Sequence, residues 1–263
     1  MPPHRTAAAG PALAAAAAVG PYFAWEAWSA GADWQPFTDL LRPSVATARV
    51  SVARSTLVGA FGLAPSDVPD RVVASVYFMG VASRLLSAPF GAAVAGGALP
   101  LATRANLWWR PVPSGPMPIG YGVVRAVPSL SPGEVAGELV AGPLAETVTP
   151  LLELFQAEFR LSPKVLWGNV ASALAGAAGV LADTMPRHAS TAGAVLEAAL
   201  ALPPLAGTGS IVRPEPRQPR CFLVRDNCCL YYRIPGGGTC GDCVLTPDAE
   251  RRLHWASVLG KPL

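Results

Sequence analysis

The residues with the most chemistry to offer lie near the C-terminal end, in Arg225-Asp-Asn-Cys228-Cys229-Leu-Tyr-Tyr-Arg-Ile-Pro-Gly-Gly-Gly-Thr-Cys240-Gly-Asp-Cys243, a C-C-x10-C-x2-C pattern. A Pro-Gly-Gly-Gly turn brings Cys228, Cys229, Cys240 and Cys243 together, and four thiolates are the full donor set of a [2Fe–2S] or [4Fe–4S] cluster. Three other uses compete. A structural zinc also takes four cysteines, but usually from two C-x2–4-C knuckles, and adjacent cysteines project apart and make a poor knuckle. Disulfides are disfavoured in a reducing compartment. Four unrelated core cysteines in so short and glycine-rich a stretch would be an odd accident. The iron–sulfur reading is the strongest.

The flanking residues suit a redox centre. Arg225 and Arg233 bracket the adjacent cysteines, and cations beside a cluster favour its reduced, more negative state; both also read as solvated turn residues. Backbone N–H groups of Gly236–Gly238 and Gly241 are candidate donors to sulfur. Cys221, the fifth cysteine, reads as a small buried hydrophobe rather than a ligand. The three histidines, His4, His188 and His254, form no constellation. Gly207-Thr-Gly209-Ser resembles part of a phosphate-binding loop but follows no strand, so a flexible loop is the better reading and the chain shows no nucleotide site of its own.

The rest of the 263 residues must position that module. The chain is 51% hydrophobic with much alanine, which suits a largely helical core. A net charge of +3, scattered apart from a local excess over Arg213–Arg220, lacks the clustered cations of a nucleic-acid surface. No segment reads as transmembrane. Ala7–Val19 is short, broken by Gly10-Pro11, and resembles a secretory core only superficially, with His4 and Arg5 ahead of it. Helices are expected over Pro11–Ala30, Ser44–Phe61, Val68–Ser87, Val165–Leu181 and Ala189–Ala201. Ser131-Pro132-Gly133-Glu134 forms a capping box, Ser162-Pro163 opens the Val165 helix, and Thr246-Pro247-Asp248 opens a last one. Asn106–Arg110 and Tyr121–Arg125 read as two paired strands. The predicted fold is therefore α+β, predominantly helical, with a small β element and a compact C-terminal iron–sulfur module. The expected domains are 1–203, mainly helical and substrate-binding, a Pro/Arg-rich linker over 204–220, and the cluster module over 221–263.

The C-C-x10-C-x2-C pattern, with R-x-x-C-C from Arg225 to Cys229 and C-x-x-Y-R from Cys229 to Arg233, resembles the FhuF-like ferric-siderophore reductases. The order of segments upstream is similar too: an apolar helix with Arg84, the Gly/Ala/Pro stretch Ala88–Pro100, a tryptophan-containing strand, then Trp167-Gly168-Asn169 on a helix. The resemblance implies a [2Fe–2S] cluster held by Cys228, Cys229, Cys240 and Cys243 and tuned by Arg225 and Arg233. It implies one-electron reduction of a ferric siderophore, the hydroxamate type included, with release of Fe(II) in the cytoplasm or at the inner face of the membrane. No catalytic side chain beyond the cluster is required, and electrons would come from an external donor such as a ferredoxin or a flavoprotein reductase. Trp108, Trp109 and Arg110 are then candidates for touching substrate, as are Trp25, Trp28 and Trp34, although core or strand-face roles explain each at least as well. Trp167 and Asn169, in Trp167-Gly168-Asn169, are slightly better candidates, because an Asn within an otherwise apolar helix needs a hydrogen-bonding partner, either backbone or ligand. The rival class is an iron–sulfur electron carrier or iron and redox sensor that binds a protein partner.

Overall fold

Alanine-rich segments favour helix over most of the chain. The computed structural model describes residues 7–30, 33–128 and 131–260 and is 59% helical with small sheets, an α+β, predominantly helical fold. In chain order the elements are β1 (Ala7–Ala8), α1 (Gly10–Ala17), β2 (Glu26–Ala27), β3 (Gln35–Pro36), α2 (Pro43–Phe61), α3 (Asp70–Ala95), β4 (Ala98–Pro100), β5 (Leu107–Trp109), β6 (Ile119–Tyr121) and β7 (Arg125–Pro128). There follow α4 (Pro132–Leu139), α5 (Thr149–Phe159), α6 (Pro163–Thr184), α7 (Ala189–Leu200), β8 (Gly209–Val212), β9 (Phe222–Arg225) and α8 (Asp248–Val258). Residues His4 and Arg5, like both outer ends of the expected domains, lie outside the described residues.

The central pair is α3 against α6. Val72, Val73, Phe78, Leu85, Leu86 and Phe90 bury one element, and Leu166, Val170, Leu174 and Leu181 bury the other. Both helices are long and apolar enough to cross a membrane, yet 72% and 61% of their most apolar stretches are buried in the protein, so they act here as core helices. The sequence predicts α3 over Val68–Ser87, but it begins at Asp70 and runs through Pro89 to Ala95. A proline inside a helix loses one hydrogen bond and crowds the preceding turn; burial of Phe90, Ala92 and Ala93 just beyond it outweighs that penalty. Gly96 lets α1 approach, since a Cβ there would sit 2.7 Å from the Ala12 backbone.

The helix expected over Pro11–Ala30 stops at Ala17. Gly20-Pro21 follows, and the residue before a proline is driven out of helical geometry. The chain then makes a short turn over Pro21–Phe23 and enters β2. Arg84, buried in α3, fastens this segment by donating to the carbonyls of Pro21 (2.5 Å), Ala24 (2.8 Å) and Met117 (2.7 Å). Burial lowers its pKa to about 10.

Three small sheets have the strand orders β1-β7-β4, β2-β6-β5-β3 and β8-β9. The expected pairing of Asn106–Arg110 with Tyr121–Arg125 is met only in part. β5 pairs antiparallel with β6 in the register Leu107↔Tyr121 and Trp109↔Ile119, while Arg125 starts β7 in a different sheet. The segment expected as a linker contains β8, which pairs with β9 from Gly209↔Arg225 to Val212↔Phe222. The caps of α4 and α6 are as read: Ser131 and Glu134 form a reciprocal box, and Ser162 Oγ accepts from the Lys164 N–H at 3.3 Å.

Candidate metal centre

β9 ends at Arg225, and the chain turns at once into the adjacent cysteines. Leu230 adopts a left-handed conformation (φ 71°), which folds the chain back so that its N–H donates to Cys228 Sγ at 3.2 Å. The Tyr231 N–H bonds to Cys229, and the Leu245 N–H donates to Cys243 Sγ at 3.3 Å. The Arg225 N–H donates to the Asp242 carbonyl at 3.1 Å and so ties the two cysteine loops together. Cys229 and Cys240 approach to 3.5 Å between sulfurs. Two thiolates sharing one tetrahedral metal at bonds of about 2.3 Å would lie about 3.8 Å apart, so this pair has the spacing of two ligands on one ion. Cys228 is within electrostatic reach of Cys229 and Cys243. Four thiols, with one pair already at ligand spacing, are the donor set that a two-iron cluster takes, and no disulfide links any of the five cysteines.

The thiol protons fit the same picture. A hydrogen bond from the Cys240 thiol, helped by the Tyr231 N–H and the charge of Arg225, lowers the Cys229 pKa to about 6. The same bond raises that of Cys240, and burial raises that of Cys228. The metal-free pair thus holds one proton between two sulfurs, and that proton leaves when metal binds.

Arg225 is 1% exposed and forms no salt bridge among the described residues. Its Nη2 donates to Asn169 Oδ1 at 2.7 Å and Asn227 Oδ1 at 3.1 Å, while Nε and Nη1 have no partner. Its charge is felt at Cys228 and Cys229. A buried guanidinium without an anion costs several kcal/mol, roughly, and the thiolates of a loaded site are anions within its reach. The helical body grips the loops at several points. Ser75 Oγ on α3 donates to the Cys229 carbonyl at 2.8 Å, and Asn169 Nδ2 on α6 donates to Ser75 O and Oγ, both at 2.9 Å. Ser172 Oγ donates to Asp242 at 2.5 Å. From α8, Arg251 Nη2 donates to the carbonyls of Cys243 (3.1 Å) and Thr246 (2.8 Å).

Residues 225–245 match the family model described as the FhuF 2Fe-2S C-terminal domain. The chain carries an FhuF-type 2Fe-2S domain. The match is confined to these residues, and no curated protein matches the chain. The cofactor of this domain is a [2Fe–2S] cluster, as the paired sulfurs suggest.

Around the FhuF-type domain the residues singled out in the sequence fall into distinct places. Arg225 lies inside the centre, but Arg233 is exposed and folds onto Tyr232, its Nε donating to the phenol oxygen at 3.2 Å. The sulfur-bound N–H groups belong to Leu230, Tyr231 and Leu245 rather than to the expected glycines; Gly237 N–H donates instead to the Ile234 carbonyl at 2.8 Å. Cys221 is buried, with its sulfur packed against Gly193. Asn169, a candidate for either a ligand or a backbone partner, is wholly buried and occupied by Ser75 and Arg225. Trp109 is buried too, and Trp25 donates to the Arg84 carbonyl at 2.9 Å. Trp108 lies over Gly122 and stacks on Trp28 at 4.6 Å, while Trp34 lies over Gly120 with Arg110 at 4.6 Å on its other side. Arg110 also pairs with Glu26 at 3.3 Å. These rings cover the four-stranded sheet. Trp167 is half-buried against the core. His188 accepts from Arg187 at 3.0 Å, His254 is exposed beside Gly241, and His4 is outside the described residues. The sequence gives no sign of Ser75, Ser172 and Arg251, whose contacts depend on tertiary structure.

Gly168 provides a direct check on this scaffold. A Cβ there would lie 2.1 Å from Asn227 Oδ1 and 2.6 Å from its Nδ2. Gly168→Ala is expected to expel Asn227 from its place beside Arg225 and to lower stability by about 1–3 kcal/mol. Thermal unfolding together with iron retention reads this; an alanine variant with unchanged values of both would contradict the packing.

Proposed function

We propose that the protein reduces ferric siderophores by one electron and so releases Fe(II). The observation that carries this reading is the FhuF-type 2Fe-2S domain at residues 225–245, with the buried cation of Arg225 within electrostatic reach of Cys228 and Cys229. Held by Cys228, Cys229, Cys240 and Cys243, the cluster supplies single electrons. The chain's own residues prepare that exchange. Arg225 offsets negative charge at the centre. Ser75, Asn169, Ser172 and Arg251 fix both cysteine loops, which limits rearrangement as charge changes. Cys229 and Cys243 are closed off from water.

Siderophores bind Fe(III) through hard oxygen donors and hold the less charged Fe(II) more weakly. When the ferric complex takes up one electron, Fe(III) becomes Fe(II) and the organic ligand leaves unchanged, with no proton transfer by the protein. The electron is replaced by an external donor such as a ferredoxin or flavoprotein reductase. This reading carries a cytoplasmic location with it, where thiols stay reduced.

The test mixes chemically reduced protein with a ferric siderophore in a stopped-flow instrument. Reoxidation of the protein, bleaching of the ferric complex and capture of one Fe(II) per chain by a ferrous chelator are the expected results. Absence of reoxidation by any ferric siderophore, with rapid exchange into a protein partner, would instead show an electron carrier.

A further inference from the structure

Between α3, α6 and the Pro21–Phe23 turn runs a groove of about 660 Å³, within the size range of small-molecule sites. Its walls are apolar, with Phe23, Val76, Met79 and Val180 among them, and its polar side chains include the hydroxyls of Ser83, Ser87 and Ser172. Among the described residues no Asp, Glu, Lys, Arg or His lines it. Arg84, on the same helix as Val76 and Met79, gives its N–H groups to the carbonyls of Pro21, Ala24 and Met117. Two lining positions are glycines that face open space: a Cβ on Gly80 or Gly176 would meet nothing within 4 Å.

The groove adjoins the metal centre through its own lining. Ser172 bonds to Asp242, between Cys240 and Cys243. Val76 follows Ser75, whose hydroxyl holds the Cys229 carbonyl. Any ligand seated there lies on the two helices that grip the cysteine loops.

We propose that this groove seats the substrate of the reaction proposed above, and that it accepts a ferric chelate with no net charge and an apolar exterior. The assignment rests on that reading of function. A chelate of several negative charges would lose water on entering and find no cation in the walls, a penalty that an uncharged complex escapes. An uncharged chelate instead buries apolar surface against Phe23, Val76 and Met79.

Binding can be read without electron transfer by using gallium(III), which is not reduced under these conditions. The cluster-loaded protein is titrated calorimetrically with tris(maltolato)gallium(III), which is uncharged, and with the triply anionic tris(catecholato)gallate(III). The uncharged complex should saturate one site and bind at least about tenfold more tightly than the anion. Gly176→Leu fills the groove from a helix and should weaken that binding by about tenfold or more. The visible spectrum of the cluster, unchanged in this variant, shows that the fold persists; Gly80→Leu serves as the second variant. Equal affinity in wild type and both leucine variants, equal or tighter binding of the anion, or no saturable binding of the uncharged complex would overturn the assignment. Binding without reduction of the ferric counterpart would sink the reductase reading and leave the groove standing. Wild-type rates of reduction in Gly176→Leu would do the reverse.

Discussion

Cys229→Ser protein should emerge from anaerobic purification folded and nearly colourless, with iron per chain reduced by about tenfold or more. Cys229 is the best prepared of the thiols: it lies 3.5 Å from Cys240 and receives the Tyr231 N–H. The Cys240 hydrogen bond favours its thiolate, whereas a serine hydroxyl stays protonated and offers iron a harder donor. The helical body should survive, because the α3–α6 core is built from side chains outside the cysteine loops. Far-UV circular dichroism reports the fold, and visible absorbance with iron analysis reports the centre. Cys221→Ser is the control, since Cys221 packs against Gly193 on α7; its iron content should match the parent. A wild-type spectrum in Cys229→Ser would exclude Cys229 as a ligand.

The second large effect is on the reduction potential. Arg225 is buried, carries two unpaired N–H-bearing nitrogens and acts on Cys228 and Cys229. Removing one such charge at an effective dielectric near 20 is worth roughly 2 kcal/mol, or about 90 mV for one electron. Arg225→Met should therefore make the loaded protein harder to reduce by about that amount. In metal-free protein the sign reverses: loss of an uncompensated buried cation should leave stability equal or raised. Arg233 is exposed, so Arg233→Met should move the potential by only about 10 mV, and less in high salt. Potentiometric titration followed by absorbance separates the two arginines. Equal shifts at both positions would contradict the structural distinction between them.

That distinction shows where the sequence speaks and where it does not. The Ser131 capping box and the Ser162 cap are local features, and local chemistry reads them correctly; the four-cysteine pattern is local too, and it falls within the matched 2Fe-2S domain. α2 and α7 also follow their expected boundaries within a residue. Arg225 and Arg233 flank the same cysteines in sequence, yet one closes a strand in the interior and the other sits on an exposed turn. Nothing local separates them. Asn169 was marked by its polarity within an apolar helix, which is a true sign of a partner; that partner is Ser75 and Arg225, not a ligand. The Ser75–Cys229 contact joins residues 154 apart, a distance over which only tertiary packing brings groups together. Pro89 misleads in the other direction, because a proline that ends a solvated helix is tolerated where the following turn is buried. The tryptophans look available for a ligand, but Trp34 and Trp108 lie on Gly120 and Gly122 and shield the sheet. The groove is lined by Gly80 and Gly176, which face open space, and a gap between helices leaves no mark in either helix alone.

Cys228, Cys229, Cys240 and Cys243 are expected to hold a two-iron centre that accepts one electron. Anaerobically purified protein should contain two irons and two inorganic sulfides per chain, and one-electron reduction should produce an S = 1/2 EPR signal. One zinc per chain, with no iron and no such signal, would contradict that expectation.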